Sequence, residues 1–404
     1  MLGDSKLGPE QARRFLPSRF NVAGEAIDAS GQACRSLACP FCHLAIPRSV
    51  LEIEPLFLSV LGAPASGKSF YLSSLTWTLR NLLPHTFRVS FTDADPGYNR
   101  ALNASEESLF LNAQGDQLTP LGGLIRKTEL QGELYSTVLS GGHVVNYVRP
   151  SLFIVRPQAG HRMAHETGSL TRSIALYDNA GEHFEPGQDT STQPVTRHLA
   201  HSRALFFLYD PTQDPRFRVA EKGGRPAAGG RFGRQETILN EAAARIRKHT
   251  QLRPTDQIDR PLLVLLSKCD TWLHRVRAAG FDAPYLHSPG DPVPGLDQDA
   301  ILRVSESLRT MLLDVGPEVV AAAEEFSSDV IYFPVSALGS KLETDPKTGL
   351  TSIRPTSIEP QGVAVPMLYA LARTVPGLVS RLGRRPRPAD QPSAGQRSGA
   401  TARA

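Results

Sequence analysis

The chain has 404 residues, of which 40% are hydrophobic, and this is enough to bury the core of one large domain or two ordinary ones. Its 44 basic and 40 acidic residues nearly cancel, leaving a formal net charge of +4. Because the basic residues are spread along the chain, this small excess argues against nucleic acid as the main partner.

The N-terminal extension, residues 1–33, shows no strong periodicity and lacks the apolar core of a signal peptide. No segment of the sequence approaches the roughly 20 apolar residues that span a bilayer. We therefore expect a cytoplasmic protein with no membrane partner.

A cysteine-rich segment, residues 34–52, follows the extension and begins with CRSLACPFCH. The spacing of Cys39 and Cys42 points two thiolates at one Zn²⁺, and Cys34 supplies a third ligand. His43 is the candidate for the fourth ligand, although its position next to Cys42 makes joint ligation awkward. The alternatives are a ribbon that has lost its metal and reduced thiols that pack as small apolar side chains. Structural zinc here would serve folding or partner docking.

Apolar strands alternate with helical stretches from residue 53 to residue 383, which predicts an α/β fold with a mostly parallel sheet flanked by helices. Strands are predicted at 55–64, 87–95, 173–178, 204–210, 261–270 and 329–337, with a hairpin over 143–157. Helices are predicted at 68–82, 98–112, 236–250, 299–314 and 364–381. Insertions are expected at about 87–142 and 211–235. The tail, residues 384–404, is rich in Pro, Gly, Ser, Ala and Arg, and we expect it to be disordered.

Residues 62–69 read G-A-P-A-S-G-K-S and match the phosphate-loop pattern G-x-x-x-x-G-K-[ST] between a strand and a helix. The glycines let the backbone amides turn around a β-phosphate, and the helix N-terminus adds positive dipole. Lys68 would reach the β and γ oxygens, and Ser69 would bind Mg²⁺. The predicted nucleotide contacts in this stretch are Gly62, Ala63, Pro64, Ala65, Ser66, Gly67, Lys68, Ser69 and Phe70.

A second motif, D-x-x-G, follows the strand SIALYD and consists of Asp178 and Gly181. Asp178 would hold Mg²⁺ through water, and the amide of Gly181 would sense a γ-phosphate. Glu182 or His183 would orient an attacking water, unless both are ordinary polar residues of the surface.

Two further motifs concern the base. The strand PLLVLLSKCD ends in Ser267, Lys268 and Asp270, a variant of the guanine-binding pattern [NT]KxD. Asp270 would accept hydrogen bonds from the guanine ring NH and amino group, and the stem of Lys268 would lie over the base. Ser336 and Ala337 follow the last apolar strand, where a backbone amide would contact the guanine carbonyl. Serine at 267 in place of Asn or Thr leaves the guanine preference open.

Taken in this order, over roughly residues 55–381, the motifs resemble those of the Ras-like and translation-factor GTPases. They end successive strands, which is where ligands bind in open α/β sheets. The segments CPFCHLAIP and GAPASGKSFYLSSLTW are also similar to large bacterial GTPases of the double-GTPase type, some of which carry a Cys-rich ribbon. The resemblance implies GTP with Mg²⁺, slow intrinsic hydrolysis, and a protein effector or a second GTPase as partner.

The Mg²⁺ ligands have alternatives. Thr128 is our choice for the switch threonine, and Thr119 is the alternative. Asp93 and Asp95 compete with Asp178 as the acidic partner of Mg²⁺, but only Asp178 has the accompanying glycine.

The function also has alternatives. Arg197 or Arg203 would be an internal arginine finger, although an ordinary surface role is the simpler interpretation. Besides a GTP-driven switch, the sequence allows an ATP-using P-loop phosphotransferase or ATPase. It also allows a catalytically silent module that binds nucleotide and acts through protein contacts.

Overall fold

The computed structural model describes residues 2–113, 115–125, 135–140, 142–184, 196–219, 234–339 and 342–383. Thr128, the tail 384–404 and residues 220–233 of the expected second insertion lie outside these ranges.

A seven-stranded sheet forms the centre of the fold. Its strands, numbered in chain order, are β1 (Pro55–Gly62), β2 (Val89–Asp93), β3 (Ser151–Pro157), β4 (Arg172–Asp178), β5 (Ala204–Tyr209), β6 (Leu262–Leu266) and β7 (Val330–Pro334). Their spatial order is β7-β6-β5-β1-β4-β3-β2. The five strands from β7 to β4 are parallel, whereas β3 runs antiparallel to both β4 and β2. The predicted mostly parallel α/β sheet is therefore confirmed.

The predicted hairpin over 143–157 is wrong. The strand His143–Val148 pairs with Tyr135–Ser140 in a separate two-stranded hairpin, with Val138 opposite Val145. The strand β3 instead enters the central sheet. Pro150 separates the two strands and has no N–H to donate, so the ladder cannot continue across it.

Within the described ranges, six helices of ten or more residues pack around the sheet. They are α1 (Lys68–Leu82), α2 (Pro96–Phe110), α3 (Glu236–Thr250), α4 (Gln298–Val315), α5 (Pro317–Phe326) and α6 (Val365–Thr374). Shorter helices cover Arg48–Glu52, Leu121–Leu124, Thr167–Leu170, Pro215–Val219 and Cys269–Trp272, and a π-helix at Leu83–Phe87 continues α1. No helix in the described ranges is long and apolar enough to cross a membrane.

The core lies on both faces of the sheet, because successive side chains of a strand point to opposite faces. On β5, Phe206 and Leu208 belong to the core that contains α1 and α6. Phe207 and Tyr209, on the same strand, belong to the core that contains α3, α4 and α5. Strands buried on both faces give the continuous apolar runs seen in the sequence.

Short strands form the periphery. Three N-terminal hairpins pair Leu2–Asp4 with Gly8–Ala12, Ala26–Ile27 with Ala33–Cys34, and Leu37–Ala38 with Ala45–Ile46. Two small sheets join Tyr285–Leu286, Gly295–Asp297 and Arg381–Leu382, and Glu343–Thr344, Thr351–Ile353 and Thr119–Pro120. The N-terminal hairpins contact the rest of the fold, since Tyr98 on α2 donates its hydroxyl to the carbonyl of Ala45 at 3.2 Å.

Candidate functional site

The predicted phosphate loop leaves β1 at Gly62 and ends where α1 begins at Lys68. A Cβ at Gly62 would lie 2.5 Å from the backbone oxygen of Leu208 on β5, so only glycine fits there. Ala65 and Gly67 have positive φ angles of 60° and 95°. Left-handed residues alternating with right-handed ones turn successive N–H groups toward one point, which makes a concavity suited to an anion.

Lys68 and Ser66 are the two polar side chains of the loop whose surroundings the structure describes most closely. Lys68 Nζ donates to the carbonyls of Gly62 and Ala63 at 2.8 and 2.9 Å, so the ammonium lies across the loop. Ser66 Oγ is fully buried and has no hydrogen-bond partner among the described residues. Leaving a buried hydroxyl unpaired costs about 1–3 kcal/mol, and a phosphate oxygen would remove that cost. Phe70 instead packs against the small apolar cluster around Leu109.

The D-x-x-G turn rests directly on the phosphate loop. Asp178 ends β4 opposite Val60 of β1. The backbone N–H and the side-chain amide of Asn179 both donate to the carbonyl of Val60, at 3.2 and 3.1 Å. A Cβ at Gly181 would lie 2.8 Å from the backbone oxygen of Gly62 and from Cδ of Pro64. The two predicted phosphate-contacting segments are thus in van der Waals contact.

Two of the predicted Mg²⁺ ligands, Ser69 and Asp178, lie at this edge of the sheet. Ser69 lies in the first turn of α1, and Asp178 ends the strand next to β1. Magnesium takes few protein oxygens and completes its shell with phosphate and water. Across the described part of the chain, no three His, Cys, Asp or Glu side chains group as a metal site.

The alternative acidic residues lie elsewhere. Asp93 ends the edge strand β2, three strands from β1, and accepts hydrogen bonds from Arg80 at 2.9 Å and Asn99 at 2.6 Å. Asp95 caps α2 and accepts from the N–H of Gly97 at 2.8 Å. Both carboxylates therefore have structural partners, and the structure does not bring them to the phosphate loop.

The remaining catalytic candidates are distributed as follows. Glu182 and His183 lie in the 3₁₀ turn Gly181–Phe184, and the structure does not describe their side chains. Thr119 lies in a small peripheral sheet, where its hydroxyl donates to the carbonyl of Gln117. Arg197 opens the 3₁₀ helix Arg197–His201.

Arg203 is not placed as an arginine finger. Its backbone N–H bonds the carbonyl of Phe57, near the amino end of β1, and β5 begins at the next residue. Arg203 therefore lies at the sheet edge opposite to the phosphate loop.

The two base motifs are bonded to each other. The hydroxyl of Ser336 donates to Oδ1 of Asp270, and the N–H of Gly339 donates to the oxygen of Ser336 at 3.0 Å. Ser74, on the helix that follows the phosphate loop, donates to the carbonyl of Ala337 at 2.8 Å. One set of bonds therefore joins α1 to both base loops at the carboxyl edge of the sheet.

Lys268, whose stem is predicted to lie over the base, also has an ion-pair partner that the sequence did not predict. It has a left-handed backbone with φ 57°, and its Nζ donates to Oδ2 of Asp210 at 2.5 Å. Next to it, Ser267 Oγ is buried and has no hydrogen-bond partner among the described residues. Cys269 is also buried, and burial raises the pKa of its thiol, so it remains neutral.

Asp210 is a site residue that sequence reasoning missed. It follows β5, is fully buried, and also accepts from the N–H and hydroxyl of Thr212 at 2.9 and 2.6 Å. The side-chain amide of Gln235 bonds both the N–H and the carbonyl of Asp210. The signal was available, because Asp210 ends an apolar strand in the same way as Asp178 and precedes a proline.

Among the described residues, no three of the predicted zinc ligands form a group that could hold a metal ion. Cys39 and Cys42 share one turn, in which the N–H of Phe41 points at Cys39 Sγ at 3.4 Å. The left-handed backbone of His43, with φ 64°, allows its Nδ1 to face Asp4 at 2.8 Å. Cys34 Sγ lies against the carbonyl of Gln32. The four candidates thus do not form a zinc-binding set in this arrangement, and we assign no role to zinc.

Comparison with known proteins gives no matching family model. The chain is 29% identical over 318 residues to a putative ESX-1 scaffolding and assembly protein, SaeC, of Mycolicibacterium smegmatis, with 74% of this chain and 72% of that protein covered. Among solved structures it is similar to the Ski7 GTPase-like domain of S. cerevisiae bound to GTP, at 12% identity and a TM-score of 0.27. That match covers 72% of this chain but only 45% of the yeast chain, and so low a TM-score supports no argument about the site.

Proposed function

We propose that the protein binds GTP with Mg²⁺ at the carboxyl edge of its sheet and hydrolyses it slowly, as a switch that acts on a protein partner. The contact of Gly181 with Gly62 and Pro64 carries this proposal. A γ-phosphate held by the loop would lie next to the Gly181 amide, so the turn would respond to its presence and its loss.

The phosphate loop supplies charge and oriented donors. Lys68 donates at present to two neutral carbonyls, and phosphate oxygens are stronger acceptors for an ammonium. The Ser66 hydroxyl would gain its missing partner. Magnesium, held by Ser69 and Asp178, would neutralise the triphosphate charge.

The base loops favour guanine. Ser336 bonds one oxygen of the exposed Asp270 carboxylate, and the other oxygen has no hydrogen bond within the described residues. A carboxylate oriented in this way accepts from the ring NH and amino group of guanine, whereas adenine offers no such pair of donors.

The proposed recipient of the switch is a protein. The Mycolicibacterium relative is named as a putative scaffolding and assembly protein, which supports a protein, rather than a metabolite, as the recipient of the switch. We place the protein in the cytoplasm, where GTP and Mg²⁺ are available.

The test is displacement of a fluorescent GTP analogue by unlabelled nucleotides, with and without Mg²⁺. We expect GTP to displace the analogue at a concentration at least about a hundredfold below that of ATP, since loss of a bidentate charged contact costs roughly 3 kcal/mol. Equal displacement by ATP would favour the ATP-using alternative. Single-turnover incubation then separates a slow GTPase from a silent module, which would leave bound GTP intact.

A further inference from the structure

Exposed apolar side chains are concentrated near the N-terminus. Of the sixteen large hydrophobic residues exposed in the described ranges, eight lie within the first 51 residues. They are Leu2, Phe15, Leu16, Phe20, Val22, Leu37, Phe41 and Leu51. Single exposed apolar residues are ordinary, but a concentration of them marks an interaction site.

Three hydrogen bonds bring part of this group together with the 135–148 hairpin. The guanidinium of Arg14 donates to the carbonyl of Pro40 at 3.1 Å, and the ammonium of Lys6 donates to the carbonyl of Phe41. The N–H of Leu139 donates to the carbonyl of Lys6 at 2.7 Å. The segments around Lys6, Arg14, Phe41 and Leu139 therefore contact one another.

The apolar members are strongly exposed. Phe41 is 79% exposed, and across the hairpin Leu139 and Val144 lie opposite each other at 43% and 56%. We call this region the Phe41 surface and define it by Lys6, Arg14, Phe15, Phe41, Leu139 and Val144. None of these residues belongs to the loops of the nucleotide site.

The charge of the Phe41 surface is positive. Lys6 and Arg14 form no ion pair within the described residues, whereas nearby Arg35 is paired with Glu25 and His43 with Asp4. Asp4 is buried, where His43 and backbone N–H groups bond it, so it does not offset these cations at the surface. Glu10 is the one exposed acid in the described residues up to 20.

We propose that the Phe41 surface docks a segment of a partner protein that combines acidic and large apolar side chains. Charge complementarity selects this occupant. A second copy of the chain would bring like charges together, and the tail 384–404, with five arginines and one aspartate, carries the wrong sign.

Nucleic acid fits the surface less well. Only Phe15 and Phe41 offer rings on which bases could stack, whereas Leu139 and Val144 are aliphatic and suit the apolar side chains of a peptide.

The experiment measures binding of fluorescent probes to the full chain. The probes are a short synthetic peptide of Asp, Glu, Leu and Phe, the same peptide with Lys and Arg replacing the acids, and oligouridylate. We expect the acidic peptide to bind at least about tenfold more tightly than the basic one, and salt to weaken it. Tighter binding of oligouridylate, or equal binding of the two peptides, overturns the proposal.

Two surface variants and one control complete the test. Phe41→Ser and Val144→Ser should each weaken the acidic peptide by about tenfold, because each removes an apolar side chain from the interface. Leu350→Ser, an exposed leucine elsewhere with 53% exposure, should leave binding unchanged. Unchanged binding in either surface variant overturns the proposal. All three variants should bind GTP like the parent, so failure of the docking surface and failure of the nucleotide site are read separately.

Discussion

Gly181 joins the two segments that would face a γ-phosphate. Its backbone lies so close to Gly62 and Pro64 that a methyl group would meet both at 2.8 Å. Its role is thus steric as well as chemical, because the amide can approach a phosphate only if nothing but hydrogen stands on Cα.

We expect Gly181→Ala to weaken GTP binding by about tenfold or more, since backbone atoms must shift before the methyl group fits. Gly168→Ala is the matched control, because no atom lies within 4 Å of its added Cβ. Titration with a fluorescent GTP analogue measures both. Parent-like affinity in Gly181→Ala would mean that the turn and the loop do not act together.

Lys68→Ala should lower triphosphate affinity by about a hundredfold or more, because two charge-assisted hydrogen bonds to phosphate are lost. Lys347→Ala, in an exposed turn, removes the same charge far along the chain and should have no effect. Isothermal titration with GTP and Mg²⁺ gives the affinities. If the variant binds like the parent, the phosphate-loop assignment is wrong.

Asp270→Asn should move the base preference from GTP toward xanthosine triphosphate, because the new amide presents a donor where the xanthine ring has a carbonyl. The loss of the charged acceptor should weaken GTP by about tenfold or more. Competition between the two nucleotides measures the ratio. An unchanged ratio would contradict guanine recognition by Asp270 and favour ATP as the ligand.

At the scale of elements, an ion-pair network ties the edge strand β2 to helices α1 and α2. Arg80 on α1 donates to Asp93 at the end of β2 and to Glu106 on α2, at 2.9 and 3.0 Å. Burial alone would raise the pKa of Asp93, but hydrogen bonds from Arg80, Asn99 and Asn103 outweigh it and hold that pKa below its usual value. Burial raises the pKa of Glu106.

The direction in which Asp93 makes the free energy of unfolding depend on pH follows from the linkage between protonation and folding. A carboxylate with a lowered folded pKa stabilises the fold above its unfolded pKa of about 3.9, and this stability is lost as pH falls through the folded pKa. Asp93→Asn should therefore flatten the fall of unfolding free energy below about pH 4. Asp95→Asn is the control, since asparagine caps a helix as well as aspartate does. Urea unfolding at several pH values gives both slopes, and an unchanged slope in Asp93→Asn would show that the network contributes no pH dependence.

Elements with strong local signals could be predicted from the sequence, and their pairing could not. The bounds of α1 and α3, 68–82 and 236–250, agree with the expectation because apolar periodicity and the flanking breaks are local. Both strands within 143–157 were also recognised. The partners of these two strands were not recognised. The first pairs with residues 135–140 and the second with β4, and hydrophobic periodicity does not encode which strands pair.

The candidate site likewise contains residues that the sequence predicts and residues that it does not. The phosphate loop, the D-x-x-G turn and the base motifs have fixed spacing, so their residues could be chosen from the sequence. Asp210 has no motif, and its pairing with Lys268 depends on β5 and β6 being neighbours in the sheet. The helix α5 was missed for another reason, since it follows α4 after Gly316 without a connecting loop.

At the scale of the whole molecule, the predicted ligand contacts lie on loops that follow four strands, β1, β4, β6 and β7, and Asp210 after β5 supports them through Lys268. A ligand that contacts all of them should stabilise the fold as a unit. GTP with Mg²⁺ at a hundred times its dissociation constant should add about 2.7 kcal/mol and raise the melting temperature by a few degrees. Thermal scans with and without nucleotide measure this shift, and it should vanish in Lys68→Ala.

The position of helix α6 late in the chain affects when the proposed nucleotide site can fold during translation. Residues 365–372 are all buried, in the same core as Tyr71 and Leu75 of α1, and the hydroxyl of Tyr71 reaches the carbonyl of Val363 at 3.3 Å. The helix that follows the predicted phosphate loop is therefore completed by residues synthesised about 300 positions later, a delay of roughly 15–60 s at about 5–20 residues per second. During that interval the nascent chain has the phosphate-loop sequence without the packing that holds its shape. We therefore expect the proposed nucleotide site to become competent only after α6 has been synthesised, so a nascent chain that ends before Val363 should not bind GTP tightly.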